Sequence, residues 1–378
     1  MSSSGAQSQR VIFIDLGRAL AVTFMLYGHT ASALLAPEYQ AGRWFEIWQF
    51  QRGLTSSLFL LLGGFAFSIA TSRHWASHLS VSAAFVRRVR RFALFILLGY
   101  ALHLPVSRLG DLGAVPDARW QTFAAVDVLQ LVGVTLILLQ VLVMLCRSRR
   151  VFTGAAFGLA AATALATPIV WTADWRALMP SVLAAFLSPA AAGSLFPLFP
   201  WMAFVFFGAG LGQIYARSGV ASLPGFAAGV LLAPGAGLLT VALGLRVFAP
   251  DAFGTGPGAF VPAEVLLRAG SCLVILAGIA YLSRRIGRLP HVFGAMAQES
   301  LLVYFVHLCI VYGSVWNRGL AQVYGARMPP GQTLVMVVMV VVSMAALAWA
   351  WNGWKHTRPR AAQWTAYIVG VLLLFRLL

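Results

Sequence analysis

Apolar stretches long enough to cross a hydrocarbon layer follow one another from residue 11 to the last residue, separated by short loops that carry most of the arginines. A helical span needs about 20 apolar residues. A window of that length marks eleven candidates, at 11–35, 53–72, 92–106, 123–146, 152–171, 195–215, 223–245, 262–282, 296–316, 332–352 and 361–378. In hydrocarbon every backbone N–H and C=O must find its partner within protein, so continuous apolar runs of this length form α-helices. The third candidate is short and reads as tilted or re-entrant. Ala31-Ser32-Ala33 looks like a signal-peptide cleavage site, but the stretch before it is too long for such a signal and holds Asp15 and Arg18. It is read as a retained first helix.

Composition agrees. Of 378 residues, 60% are hydrophobic and 10% charged, with a mean hydropathy of +0.83, whereas soluble domains carry about 25% charged residues. The expected fold is an all-α polytopic membrane helical bundle of about 10–11 transmembrane helices, with residues 1–10 as a cytoplasmic tail and 11–378 as a single domain. No stretch is long enough for a separate soluble domain.

The net charge of +17 would point to nucleic acid in a soluble protein. Here the basic residues alternate with the spans. Sixteen fall in one set of loops, among them Arg10, Arg73, Arg87, Arg88, Arg90, Arg91, Arg288 and Lys355, and eight in the other, from Arg43 and Arg52 to Arg327. Acidic Glu38, Glu46, Asp111, Asp117, Asp174 and Asp251 all lie in the arginine-poor set. By the positive-inside rule the N-terminus and the arginine-rich loops are cytoplasmic. The expected setting is an integral membrane protein of a bacterial inner membrane, in contact with membrane lipid and without a nucleic-acid partner. Cys146, Cys272 and Cys309 show neither metal spacing nor a disulfide framework, so no metal is expected.

Ionisable side chains inside the spans are costly and usually mark a functional path. Asp15, Arg18 and His29 share the first segment, and Arg18 and His29 are three helical turns apart, roughly 16 Å along one face. Histidine titrates near neutral pH and is suited to taking a proton from a hydroxyl or amine. Asp15, three residues before Arg18, is placed to hold the guanidinium. Glu264 and Arg268, at i,i+4, read as a structural pair. Ser300, Tyr304 and His307 form one polar stripe on the ninth segment, entered by Glu299, and Asp127 with Gln130 stands at the start of the fourth. Tyr304, His307, Asp127, Gln130 and Glu299 are therefore candidate substrate-binding residues. The tract Arg87-Arg88-Val89-Arg90-Arg91 either serves topology and lipid headgroups or binds a polyphosphate, since guanidiniums grip phosphate bidentately.

Ile14-Asp15-Leu16-Gly17-Arg18-Ala19 resembles the Asp-x-x-Arg-Gly opening of transmembrane acyltransferases. Two related families fit: the heparan-α-glucosaminide N-acetyltransferase-like catalytic domain and acyltransferase family 3, whose Arg-x10-His motif has the Arg18-to-His29 interval. Phe59-Leu60-Leu61-Leu62-Gly63-Gly64, Asp127-Val128-Leu129-Gln130 and Glu299-Ser300-Leu301-Leu302-Val303-Tyr304 with His307 are similar to further family stretches, so the likeness runs from residue 11 to about 316. The details lean towards the N-acetyltransferase-like group. Ala19 departs from the usual glycine. The human-type lysosomal enzyme carries its active histidine just beyond the first helix, and residues 30–73 here contain none.

The resemblance implies transfer of an acyl group, acetyl foremost, from cytosolic acyl-CoA to a glycan-type hydroxyl or amine across the membrane. His29, Arg18 and Asp15 would be catalytic, and Arg87, Arg88, Arg90 and Arg91 would hold the CoA phosphates. Tyr304 or His307 would face the developing oxyanion. A transporter or flippase for a small anion or lipid-linked sugar accounts equally well for the polar helices. A sensory or scaffold protein fits less, because receptors seldom bury so many ionisable groups together. No obvious internal repeat, with Pro197 and Pro200 unmatched elsewhere, speaks weakly against a carrier. The acceptor, acyl chain length, N- or O-acylation, base or acyl-histidine chemistry and oligomeric state are not legible at this level.

Overall fold

The computed structural model describes residues 11–218, 223–249, 262–286 and 289–378. The expected tail at 1–10, with Arg10, and the loop residues Asp251 and Arg288 lie outside them. Among the described residues the chain is helical throughout, without β-strands. In order the helices are α1 Ile12–Leu34, α2 Arg43–Arg73, α3 Ala83–Leu102, α4 Asp117–Ala124, α5 Val128–Cys146 and α6 Arg149–Thr172. After them come α7 Ser181–Ala184, α8 Leu198–Ser218, α9 Leu223–Phe226, α10 Ala233–Phe248 and α11 Pro262–Ser283. The last five are α12 His291–Gln298, α13 Ser300–Tyr312, α14 Leu320–Tyr324, α15 Pro330–Thr357 and α16 Pro359–Phe375. A π-helical turn, Ala227–Leu232, joins α9 to α10. Pro234 has no N–H to continue the ladder just there.

Eight of these are long and apolar enough to cross a membrane: α1, α2, α5, α6, α8, the continuous Leu223–Phe248, α11 and α15. The pair α12 and α13 makes a ninth if its two halves, bent by 80° at Glu299, form one span. The polytopic all-α bundle is thus as expected; among the described residues eight helices, or nine with that pair, meet the length and composition of a span, against an expected 10–11. The third and eleventh candidates fold as α3 and α16. Four arginines at the start of α3 and the 17-residue length of α16 keep them outside the set.

Close packing decides which helices meet. A Cβ on Gly64 would lie 1.9 Å from the Val205 carbonyl oxygen, and one on Gly208 equally close to that of Leu61. Hence α2 and α8 touch backbone to backbone, as small residues allow in membrane bundles. Helix α1 lies centrally, against α2, α11, α12, α13 and α15. Two apolar clusters flank it. Phe13, Phe65, Tyr215, Phe226 and Leu276 pack near its start. Val22, Met25, Leu129, Val303, Tyr304 and Leu308 pack along its later turns.

Candidate functional site

Helices α1 and α13 are joined twice by polar contacts. Arg18 Nη2 donates to Ser300 Oγ at 2.9 Å, and His29 Nδ1 meets His307 Nε2 at 3.1 Å. Both contacts run forward in sequence, so the helices are parallel there. Eleven residues of α1 rise about 16 Å and seven of α13 about 10 Å. The length of the arginine side chain takes up the difference. The two rings are 5.2 Å apart between centroids, and Tyr312 stands edge-on to His29 at 5.7 Å. His307 is fully buried, whereas His29 is half-buried.

Asp127 is the N-cap of α5. Its Oδ1 accepts from the Val128 N–H at 2.6 Å, and Gln130 Oε1 accepts from the Asp127 N–H at 3.2 Å. This reciprocal box satisfies amide donors at a helix start. The remaining oxygen, Oδ2, accepts from the Tyr304 hydroxyl at 3.4 Å and lies 3.7 Å from His103 Nε2. Tyr304 in turn stands edge-on to His307, 5.5 Å between ring centroids. The structure therefore brings His29, His307, Tyr304, Asp127 and His103 into one cluster. Gln130 supports Asp127 from behind, packed so closely on α3 that a Cβ on Gly99 would lie 2.3 Å from its Oε1.

Arg52 enters the neighbourhood from α2. Its stem lies over Gly28, its guanidinium bonds to Ser32 and it stacks 5.3 Å from the Trp48 ring. Trp48 also faces Tyr27 at 6.3 Å and Phe45 at 5.2 Å. In the sequence Arg52 reads as a loop charge because the apolar window begins at residue 53. The helix itself starts ten residues earlier, at Arg43.

At the other end of α1, Asp15 and Arg18 line a cavity of about 170 Å³ with Val11, Ile14, Ala66, Ile69, Ala70 and Arg73. His29 is not among its walls. Between Arg18 and His29 the same face of α1 carries Val22 and Met25, both buried.

The arginine tract divides in use. Arg88 turns inward, bonding Thr71 Oγ1 at 2.8 Å and Gln140 Oε1 at 3.2 Å above the Phe67 ring. Arg87, Arg90 and Arg91 are exposed. Gln140 passes the connection on to the His78 carbonyl at 3.2 Å. Burial, with Arg88 and His74 nearby, pushes the His78 imidazole down to about 4. Glu299 sits apart from the histidines, at the break between α12 and α13. Lys355 Nζ donates to both its oxygens, at 2.8 and 2.9 Å, and Asn352 Nδ2 to one at 2.9 Å. Glu264 accepts from Arg268 Nε at 2.9 Å and also from Arg246, while Arg268 reaches the Gly53 carbonyl at 2.8 Å. That pair ties α10, α11 and α2 together.

In chemical terms the cluster offers an imidazole backed by a second imidazole, next to a fixed carboxylate. A guanidinium with its own carboxylate neighbour occupies the opposite third of the same helix. Among the described residues no group of three or more His, Cys, Asp or Glu side chains is arranged to hold a metal ion.

Comparison with curated proteins gives no match. Comparison with protein families matches residues 10–234 to the family described as heparan-alpha-glucosaminide N-acetyltransferase, catalytic. The match takes in Asp15, Arg18, His29 and Asp127 and ends before α11, so Ser300, Tyr304 and His307 lie beyond it. It spans more than half of the chain, from before α1 to the start of α10, and the chain belongs to this family of transmembrane acyltransferases.

Proposed function

We propose that the protein transfers an acyl group, foremost acetyl, from acyl-CoA on the cytoplasmic side to a hydroxyl or amine of a glycan-type acceptor on the other side. The observation that carries this reading is the pair of contacts between α1 and α13. Arg18 lines a cavity with Asp15 and Arg73 at one end, and His29 is paired with His307 about 16 Å further along. Acyl-CoA is polyanionic at one end and carries its thioester at the tip of a long thin arm. Arg73 and the exposed Arg87, Arg90 and Arg91 suit the phosphates, and Arg18 lies on the arm's way inward.

In the reaction the acceptor oxygen or nitrogen attacks the thioester carbonyl while the His29 imidazole takes its proton. Collapse of the tetrahedral intermediate breaks the C–S bond, and the leaving thiolate recovers that proton as free CoA. Holding both reactants at one imidazole replaces a bimolecular encounter. The buried Val22 and Met25 stand between Arg18 and His29. The donor reaches the histidine only when that stretch repacks, which couples donor binding to opening of the bundle.

The test uses the full chain in lipid nanodiscs with radiolabelled acetyl-CoA, and with glucosamine and methyl glucoside as acceptor probes. Transfer is expected in the wild type and absent in His29→Ala. Arg18→Ala should raise the KM for acetyl-CoA about tenfold, the worth of one charge-assisted hydrogen bond. A His29→Ala protein with undiminished transfer removes the histidine from the reaction. A wild-type protein that is not thermally stabilised by CoA favours the carrier reading instead.

A further inference from the structure

The hydrogen-bond directions around the two histidines are determined by the chemistry of their partners. His307 Nδ1 lies 3.0 Å from the Val303 carbonyl oxygen. A carbonyl oxygen only accepts, so Nδ1 of His307 carries the hydrogen. In a neutral ring the other nitrogen, Nε2, is then a bare lone pair. That nitrogen faces His29 Nδ1 at 3.1 Å. Two lone pairs do not meet at this distance, so the hydrogen between the rings belongs to His29 Nδ1. Neutral His29 is left with its lone pair on Nε2.

We infer that His307 is a positioning residue that holds His29 in the Nδ1–H tautomer, making His29 Nε2 the nitrogen that meets the reacting groups. In water histidine prefers the opposite tautomer, so the protein imposes this one, and the partner of one ring nitrogen sets what the other can do. The chain of bonds ends on the Val303 carbonyl, inside helix α13. No proton passes beyond it, and the proton gained by His29 returns through Nε2 to the leaving thiolate. Both nitrogens of the fully buried His307 are occupied. It therefore has no N–H to offer an oxyanion, and the Tyr304 hydroxyl is spent on Asp127. The family match ends at residue 234, and this role for His307 is argued from its hydrogen-bond geometry.

The kinetic part of the inference rests on the acyl-transfer reading, and the tautomer part does not. The experiment separates them. Full-length protein labelled with ¹⁵N-histidine is placed in lipid nanodiscs, and the His29 signals are assigned as those missing in His29→Gln. In the wild type His29 is expected as Nδ1–H with a bare Nε2. His307→Gln, whose amide carbonyl still accepts, keeps that form, and His307→Leu shifts His29 to Nε2–H. With acetyl-CoA and the same acceptor probes, His307→Leu should lower kcat about 100-fold with the KM for acetyl-CoA within twofold. Loss of a tautomer-setting partner costs this much or more in comparable dyads. His307→Gln should regain at least tenfold of the loss. An Nε2–H or doubly protonated His29 in the wild type overturns the inference, as does an unchanged kcat in His307→Leu. If no protein, wild type included, transfers an acyl group, the proposed function fails while the spectra still decide the tautomer.

Discussion

Glu299 illustrates how a charge on a polar stripe is diverted from a site. From its place before Ser300, Tyr304 and His307 it reads as the entry to a cavity wall. In the fold its carboxylate is 6% exposed and receives three hydrogen bonds from Lys355 and Asn352 of α15. Its partners are some 55 residues away, beyond the reach of any local pattern. Only the carboxylate is buried; the Lys355 side chain is 44% exposed, so removing Glu299 leaves an ammonium that water can solvate. Glu299→Ala is expected to lower stability by about 1 kcal/mol, read as a small drop in the thermal midpoint in detergent. The donor KM of the surviving protein should be unchanged, since Glu299 touches neither the cavity at Arg18 nor the histidines. Arg88 makes the same point from the basic side, because contacts with Thr71, Gln140 and Phe67 set it apart from its exposed neighbours in the tract.

Among the elements, α2 and α8 form the contact that places the others. The 31 residues of α2 rise about 46 Å, well beyond the roughly 30 Å of a hydrocarbon core. Its first turns carry Trp48 and Arg52 beside the last turns of α1, where they meet Tyr27, Gly28 and Ser32. Further along, Gly64 and Gly208 let the backbones touch. Gly208→Leu would drive a side chain into the Leu61 carbonyl, which has no rotamer to move aside. The expected cost is about 3 kcal/mol or more, visible as loss of the monodisperse peak in size-exclusion chromatography. Gly63→Ala, where an added Cβ meets nothing within 4 Å, should leave the peak intact. The stretch ending Leu62-Gly63-Gly64 was legible as a motif, but only the approach of α8 tells which of its glycines is required.

At the scale of the whole molecule the loop charges sort into two ends. Arg88, Arg149 and Arg217 bond to Thr71, Ser72 and Thr153, and Lys355 bonds to Glu299, all from the arginine-rich set of loops or the helix turns beside them. Arg52, Arg119 and Arg246 bond to Ser32, Pro105 and Glu264 from the other set. If the arginine-rich end faces the cytoplasm, a single cysteine at Ser80 stays unlabelled by an impermeant maleimide added to intact cells. One at Gly110 is labelled. The reverse pattern inverts the orientation and with it the side on which acyl-CoA would enter.

Periodicity and apolar run length were enough to determine a helical membrane bundle, because a continuous apolar run of about 20 residues satisfies its own backbone in hydrocarbon as a helix. A closed barrel is built instead from short alternating strands. The same reading drew Asp15, Arg18 and His29 together, since residues on one helix keep their spacing whatever surrounds them. Tertiary structure alone decided that His307 turns its Nε2 to His29 and that Glu299 and Arg88 are spent on scaffolding. It also buried Val22 and Met25, which helical spacing already puts between Arg18 and His29. These depend on which helices meet and at what rotation, and that is governed by close packing between segments far apart in the chain, which no local pattern encodes.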